Sequence, residues 1–146
     1  MSQYIAIQND RLCDCKQGFL SCIEARSWMK NQIGVWDFKY DARDVRDKNI
    51  HPATFPISMA SRIIEQFTHR GELVLDPFVG SGTTLVAAHD LERNAIGVDL
   101  RQDYVDLSNS RILETLFDNH TKQIAICDDA KNIPEFIASS QKAICL

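Results

Sequence analysis

The sequence lacks any long apolar run. No stretch of about 18 uncharged apolar residues occurs, so the pattern excludes a typical membrane-spanning helix. The first ten residues have no basic flank followed by an apolar stretch, so we predict no secretory leader and a cytoplasmic location. The 146 residues are 45% hydrophobic and 25% charged, which fits one globular domain and leaves no room for two.

A strong charge of one sign is also missing. Sixteen basic and twenty acidic side chains give a formal net charge of -4, without the basic footprint of a self-sufficient nucleic-acid binder. Residues 1–50 hold eight basic and seven acidic side chains, whereas residues 51–146 hold eight and thirteen. Any contact with DNA is therefore expected in the N-terminal third.

The cysteines do not form the even set that a disulfide framework needs. There are five, at positions 13, 15, 22, 127 and 145, and no secretory leader accompanies them. Cys13-x-Cys15 with Cys22 resembles part of a zinc site, but the spacing fits no common finger and indicates no fourth ligand. The pattern favours ordinary reduced cysteines and no metal site.

Hydrophobic periodicity predicts alternating helices and strands from residue 57 onward. The helices are predicted at 57–67, 83–91, 102–117 and, more briefly, from Pro134, with inward stripes of Ala60, Ile63, Ile64 and Phe67 and of Val105, Ile112, Leu113 and Leu116. The strands are predicted at 72–76, 95–99, 123–127 and 142–146. Strands separated by helices indicate a doubly wound parallel α/β sheet.

The first fifty residues follow a different pattern. We predict an accessory segment at 1–50, with a helix over 19–30 and a charged loop over 39–48, ahead of an α/β domain at 51–146. In that loop Arg43, Arg46 and Lys48 alternate with Asp41, Asp44 and Asp47, which predicts a solvated face. The aromatic side chains are expected to pack over a core edge rather than stack on bases; they are Trp28, Trp36, Phe38 and Tyr40.

The chemistry of the chain centres on residues 73–84. A predicted strand ends in Asp76, and Gly80 and Gly82 then allow a ligand to approach the backbone at the start of a helix. A dinucleotide fingerprint would need a third glycine where Leu85 stands, and no Gly-Lys-Ser/Thr follows to make a phosphate-binding loop. The loop therefore fits a ligand that has no pyrophosphate.

Two further carboxylates follow the next strands. In a doubly wound fold Asp99 lies where an acidic side chain meets ribose hydroxyls, and Asp76 is suited to an ammonium group. Asp129 either accepts from an adenine amino group or caps the short helix after it. An ammonium, a ribose and an adenine without phosphate together describe S-adenosylmethionine.

Three motifs carry a family resemblance that covers roughly residues 33–130. They are His51-Pro-Ala-Thr-Phe-Pro56, Asp76-Pro-Phe-Val-Gly-Ser-Gly-Thr-Thr84 and Ile96-Gly-Val-Asp99, and together they resemble the DNA methyltransferases that modify the exocyclic amino group of adenine or cytosine. The resemblance implies a Rossmann-like methyltransferase fold, S-adenosylmethionine as cofactor and DNA as partner. It implies cofactor contacts at Thr54, Phe55, Asp76, Pro77, Phe78, Gly80, Ser81, Gly82, Thr83, Thr84, Asp99, Leu100, Asp129 and Ala130, and an aromatic position at Tyr104.

The catalytic signature of that family is absent from these residues. The signature is Asp, Asn or Ser followed by Pro-Pro and an aromatic residue, but the four prolines, at 52, 56, 77 and 134, are never adjacent. We therefore expect no catalytic residue here, a sheet truncated after about its fourth strand, and a complementary catalytic polypeptide or a second copy that covers the sheet edge.

Two functional interpretations remain open. The first is the cofactor-binding part of a DNA methyltransferase, with adenine and cytosine equally open as target. The second is a non-catalytic protein that binds S-adenosylmethionine or merely keeps the fold. A methyltransferase for small molecules or proteins is disfavoured by the motifs at 51–56 and 76–84.

Overall fold

The computed structural model describes residues 7, 9–16, 18–45, 53–114, 120–137 and 143–145. No helix among them is both long enough and apolar enough to cross a membrane. The helices are α1 (Ala25–Asn31), α2 (Ala42–Val45), α3 (Ile57–Phe67), α4 (Thr83–Asp90), α5 (Gln102–Leu113) and α6 (Ile133–Phe136), the last preceded by a 3-10 turn, Ala130–Asn132. The strands are β1 (Leu73–Asp76), β2 (Asn94–Asp99), β3 (Gln123–Cys127) and β4 (Ala143–Cys145).

The four strands form one parallel sheet in the order β3-β2-β1-β4. The sheet has a hydrophobic core on each face, and successive residues of β1 point into different ones. Val74 packs with α3, α4 and α5 in the first core, whereas Leu73 packs with Ile7 and Ile96 in the second. Partly buried side chains of the 133–137 region contact the second core. Apolar burial on both faces confirms the predicted doubly wound α/β fold. Because β1, β2 and β3 pair in parallel, their carboxyl ends lie at the same edge of the sheet.

The predicted inward stripes are correct except at two helix ends. Phe67 is 46% exposed because the chain turns after α3, and the next two residues, Thr68 and His69, are fully buried in its place. Leu113 is 86% exposed because the inner face of α5 follows Val105, Ser108 and Ile112, from which Leu113 is rotated by about 100°. Leu116 lies outside the described residues.

The N-terminal segment differs from its predicted structure. Helix α1 begins at Ala25 instead of residue 19, because residues 18–23 form turns whose Phe19 carbonyl accepts a hydrogen bond from the His69 ring. Trp36 packs under the Arg62 guanidinium of α3 at 4.5 Å, which supports packing rather than base stacking. The contacts with α3 and His69 tie this segment to the α/β domain, and the boundary at residue 50 stays a prediction.

Asp44 corrects the prediction of a solvated charged loop. Residues 42–45 form helix α2, and the Asp44 side chain is buried. Its Oδ1 accepts from the Ile57 backbone N–H at 2.7 Å and its Oδ2 from the Asp41 N–H at 2.7 Å. The carboxylate thus caps the first turn of α3 from a distant part of the chain. Arg46, Asp47 and Lys48 lie outside the described residues.

An Asp44→Ala substitution is expected to destabilise the chain by about 1–3 kcal/mol, because it leaves the buried Ile57 N–H without its acceptor. Urea denaturation followed by circular dichroism measures the change. Asp37→Ala is the matched control because Asp37 is exposed. Equal midpoints for the two variants would show that the cap contributes nothing.

Candidate functional site

Asp76 ends β1 with both carboxylate oxygens engaged. Thr84 Oγ1 donates to Oδ2 at 2.5 Å, and the Phe78 backbone N–H donates to Oδ1 at 3.0 Å. Burial raises the pKa of Asp76, the nearby Asp99 charge raises it further, and the two hydrogen bonds oppose the shift. The site therefore holds a desolvated carboxylate that a cationic ligand would stabilise.

Asp99 ends the neighbouring strand and is half-buried at the same edge of the sheet. Its Oδ2 accepts from the Gly80 N–H at 3.0 Å, and its Oδ1 accepts from the Arg101 N–H at 3.0 Å. The register pairs Asp76 with Gly97, two residues before Asp99. The structure thus brings the two predicted carboxylates and the glycine loop together.

The glycine loop adopts a conformation that its glycines permit. Gly80 and Gly82 have φ of 51° and 80°, in the left-handed region, and Gly82 directly precedes α4. A Cβ on Gly82 would lie 2.8 Å from the Cβ of Ser108 on α5. The left-handed φ therefore favours glycine at both positions, and Gly82 is needed in addition for the close approach of α5.

Two polar residues of α5 hold the loop, and sequence reasoning missed them. Ser108 Oγ donates to the Gly80 carbonyl at 2.7 Å, and Arg111 Nη1 donates to the Ser81 carbonyl at 2.7 Å, both buried. Ser108 and Arg111 are three residues apart on the inner face of the helix. The sequence signal that could have identified them is the presence of two polar residues on the predicted inward face of this helix.

The exposed rim of the site carries apolar side chains. Phe78 is 78% exposed and Leu100 is 71% exposed, whereas Pro77 is half-buried. Ser81, Thr83 and Thr84 are buried behind them. Solvent-facing apolar groups beside a carboxylate edge offer contact surface to a planar ring.

Asp129 caps the 3-10 turn, which is one of its two predicted roles. Its Oδ1 accepts from the Lys131 N–H at 3.0 Å, and its Oδ2 pairs with Lys131 Nζ at 3.0 Å. These bonds lower the pKa of Asp129. The Asp128 N–H donates to the Asp99 carbonyl at 3.1 Å, which places Asp129 and the half-buried Ala130 near the end of β2.

Thr54 and Phe55 are held by a separate set of contacts. Thr54 Oγ1 donates to the Asp44 carbonyl at 3.4 Å, and the Tyr40 hydroxyl donates to the Thr54 carbonyl at 3.0 Å. Phe55 is partly exposed just before α3. His51 and Pro52 of the same motif lie outside the described residues.

The cationic side chains near the edge are engaged elsewhere. Arg101 pairs with Asp103 and lies 4.1 Å over the Tyr104 ring, while Arg111 points into the loop backbone. Asp76 and Asp99 therefore set the sign of the local potential. Such an edge suits a ligand with an ammonium group and hydroxyls.

A second cluster lies away from this edge. Cys13, Cys15, Cys22 and His69 bring their sulfur and nitrogen atoms within 4.8 Å of one another. His69 is the neighbour that the cysteine spacing did not indicate, because it follows Cys22 by 47 residues. Burial raises the pKa of Cys13, but hydrogen bonds from the neighbouring groups outweigh it and lower that pKa to about 7, whereas the hydrogen bond to Cys13 raises the pKa of Cys15 to about 11.

The fold is an α/β domain whose two carboxylates and glycine loop lie at the carboxyl ends of parallel strands, where open α/β sheets bind their ligands. The family model described as DNA methylase matches residues 16–110, well over half of the chain. The chain belongs to this DNA methylase family, as the motifs predicted.

Similar proteins agree with the family. The chain is 38% identical over 104 residues to the Type II methyltransferase M.BglI of Bacillus subtilis, covering 71% of this chain and 28% of that protein. It is 38% identical over 96 residues to M.MthZI of Methanothermobacter thermautotrophicus, covering 64% and 26%. The chain thus spans about a quarter to a third of the curated relatives it matches.

A solved structure supports the fold. TTHA0409 of Thermus thermophilus, assigned as a DNA modification methylase and complexed with S-adenosyl-L-methionine, has a TM-score of 0.55 and 26% identity. The match covers 77% of this chain and 43% of that one. The methyltransferase fold expected from the motifs is therefore confirmed.

Proposed function

We propose that this chain supplies the S-adenosylmethionine-binding part of a DNA methyltransferase that acts on the exocyclic amino group of adenine or cytosine. The observation that carries the proposal is the pair of carboxylates, Asp76 and Asp99, on one sheet edge beside a glycine loop with left-handed φ. Their charge matches a ligand with an ammonium group and ribose hydroxyls.

Each residue of the edge has a defined role in this proposal. Asp99 accepts from the ribose hydroxyls, and Asp76 faces the ammonium group of the methionine moiety. Asp129, Ala130 and Leu100 flank the adenine ring. Pro77, Phe78, Gly80, Ser81, Gly82, Thr83 and Thr84 form the cofactor loop, and Thr54 and Phe55 lie toward the methionine end.

Several features of the loop favour the cofactor. Close approach to the backbone is permitted at Gly80 and Gly82, and the aromatic Phe78 is exposed at the rim. S-adenosylmethionine, when bound, supplies a sulfonium-activated methyl group. The contribution of this chain is to orient that group, since Ser108 and Arg111 fix the loop carbonyls before any ligand binds.

Base recognition and the Pro-Pro-aromatic motif would come from outside residues 1–146, because the four prolines here are never adjacent. The resemblance implies a seven-stranded sheet, and the described residues form four strands with β4 at one end. We infer that further strands or a second copy complete the sheet beside β4. Light scattering of the 16.6 kDa chain tests the second copy, and a monomeric mass at micromolar concentration argues against it.

Calorimetric titration with S-adenosylmethionine tests the proposed cofactor. We expect wild-type binding, and an Asp99→Ala variant weakened about 10–100-fold by loss of hydrogen bonds to a charged acceptor. Asp106→Ala is the matched control, because Asp106 is an exposed carboxylate of α5 whose partner is Gln102. Absence of binding by the folded wild type, or equal affinity of Asp99→Ala, contradicts the assignment.

The second candidate function is a non-catalytic S-adenosylmethionine-binding protein. The absent Pro-Pro-aromatic motif favours it for these residues alone. Transfer of a labelled methyl group to DNA, measured with this chain by itself, distinguishes the two. Transfer by this chain alone would rule out the non-catalytic interpretation. If the chain binds S-adenosylmethionine without transfer, and adding a polypeptide that carries the motif restores transfer, the result supports the methyltransferase part.

A further inference from the structure

The cluster near the N-terminus has the dimensions of a tetrahedral metal site. Cys13 Sγ and Cys22 Sγ lie 3.4 Å and 3.6 Å from His69 Nδ1, and the atoms of Cys13, Cys15, Cys22 and His69 all lie within 4.8 Å. A tetrahedral zinc ion with bonds of about 2.3 Å to sulfur and about 2.0 Å to nitrogen separates two sulfur ligands by about 3.8 Å and a sulfur from a nitrogen by about 3.5 Å. The two sulfur–nitrogen distances therefore match a zinc site, and the other separations, at most 4.8 Å, would close by a small movement of the thiols.

Hydrogen bonding fixes the His69 ring in the orientation that a metal ligand needs. The ring is fully buried, and its Nε2 lies 2.8 Å from the Phe19 carbonyl oxygen, which can only accept. The proton is thereby assigned to Nε2, so that the lone pair of Nδ1 points at the sulfur atoms. A backbone carbonyl holding the far nitrogen is the usual support of a histidine ligand. The Arg70 N–H also donates to Cys22 Sγ at 3.3 Å, as it would to a thiolate.

The N-terminal segment has little hydrophobic core, so another interaction must stabilise its folded conformation. Within residues 9–16 and 18–45, the buried residues are Ser21 and Asp44, both polar. Apolar burial there is limited to partly buried side chains such as Trp28 and Trp36, whereas Phe19, Leu20 and Met29 remain exposed. Small segments without a core are commonly held by a structural metal.

A buried cation beside the cluster also favours a negatively charged metal–thiolate site. Arg93 is 3% exposed, and its guanidinium donates to the Thr68 hydroxyl, the Thr68 carbonyl and the Leu91 carbonyl, all of them neutral. Burial lowers the pKa of Arg93, the charges of Cys22, Glu65 and Cys13 raise it, and the Arg70 charge opposes them. Three thiolates and one Zn²⁺ carry a net charge of -1, which would compensate a buried arginine.

We propose that Cys13, Cys15, Cys22 and His69 bind one structural zinc ion. The donor set is the Cys₃His set of closed zinc sites, with all four positions filled by the protein. The ion would join the N-terminal residues Cys13, Cys15 and Cys22 to the turn between α3 and β1. This site is independent of the cofactor edge.

Metal analysis of the full chain tests the proposal. Purified under reducing conditions after zinc supplementation, the wild type is expected to contain about one zinc per chain, with X-ray absorption showing three sulfur neighbours at about 2.3 Å and one nitrogen at about 2.0 Å. Cys22→Ser is expected to lose most of the zinc. Cys127→Ser, an exposed cysteine outside the cluster, is the matched control and is expected to keep it.

Cobalt substitution of the wild type keeps the test independent of variant folding. Co²⁺ is expected to give the intense visible bands of a tetrahedral thiolate site and to be displaced by Zn²⁺. A chain that takes up neither metal, a disulfide among the three cysteines in the reduced preparation, or iron in place of zinc would overturn the proposal. Equal zinc content in Cys22→Ser and Cys127→Ser would overturn it as well.

Discussion

Replacing Gly82 by alanine is expected to destabilise the chain by about 2–5 kcal/mol and to abolish cofactor binding at the concentrations that saturate the wild type. A φ of 80° costs a residue with a Cβ about 1–2 kcal/mol. The new Cβ would also lie 2.8 Å from Cβ and Oγ of Ser108 and 2.9 Å from its Cα, and overpacking of a tight contact costs about 1–3 kcal/mol. Because the contacted atoms include the backbone Cα of Ser108, which cannot rotate away, α5 and the loop must move apart.

That separation would break the loop at its supports. Ser108 holds the Gly80 carbonyl and Arg111 holds the Ser81 carbonyl, so a shifted α5 withdraws both donors. Thermal denaturation measures the stability, and calorimetry with S-adenosylmethionine measures the binding.

Gly34→Ala provides the matched control for this change. A methyl group added at Gly34 would have no heavy atom within 4 Å, and the residue has no positive φ, so alanine is expected to be tolerated there. If Gly82→Ala were as stable as Gly34→Ala and bound cofactor normally, the close packing of α5 on the loop would not matter for the site.

The parts of the fold that could be predicted are those with local signals. Strand β3 and helix α3 were predicted at their observed bounds, because apolar periodicity and flanking breakers act over a few residues. The glycine loop was also predictable, since left-handed φ at Gly80 and Gly82 selects for glycine. Consecutive parallel strands then place Asp76 and Asp99 on one edge.

The parts that could not be predicted depend on contacts between distant residues. Asp44 caps α3 across 13 residues, and His69 joins the cysteines across 47 or more. The alternating charges around Asp44 predicted a solvated side chain. The ligand spacings of zinc fingers cover short stretches of sequence and therefore do not include a histidine so far from the cysteines. Ser108 and Arg111 were missed because inward polar residues have meaning only once their backbone partners are known.

Asp76→Asn is expected to separate stability from binding. Burial raises the pKa of Asp76 above its unfolded value, so the folded state binds the proton more tightly than the unfolded state. The stability of the wild type therefore falls as pH rises from the unfolded pKa, about 3.9, through the folded pKa, and the loss is complete above it. Asparagine carries no charge, so the variant is expected to unfold at a higher temperature than the wild type at pH 7 and at an equal one near pH 3.

The amide can keep both contacts of the carboxylate, with Oδ1 accepting from the Phe78 N–H and Nδ2 donating to Thr84 Oγ1. Under the proposed function it cannot pair with an ammonium group, and binding of S-adenosylmethionine is expected to weaken about 10–100-fold. Asp106→Asn controls for loss of an exposed charge, and Asp76→Ala controls for loss of the two hydrogen bonds. Wild-type affinity in Asp76→Asn would remove Asp76 as the ammonium partner, and stability as low as that of Asp76→Ala would mean that the fold itself requires the charge.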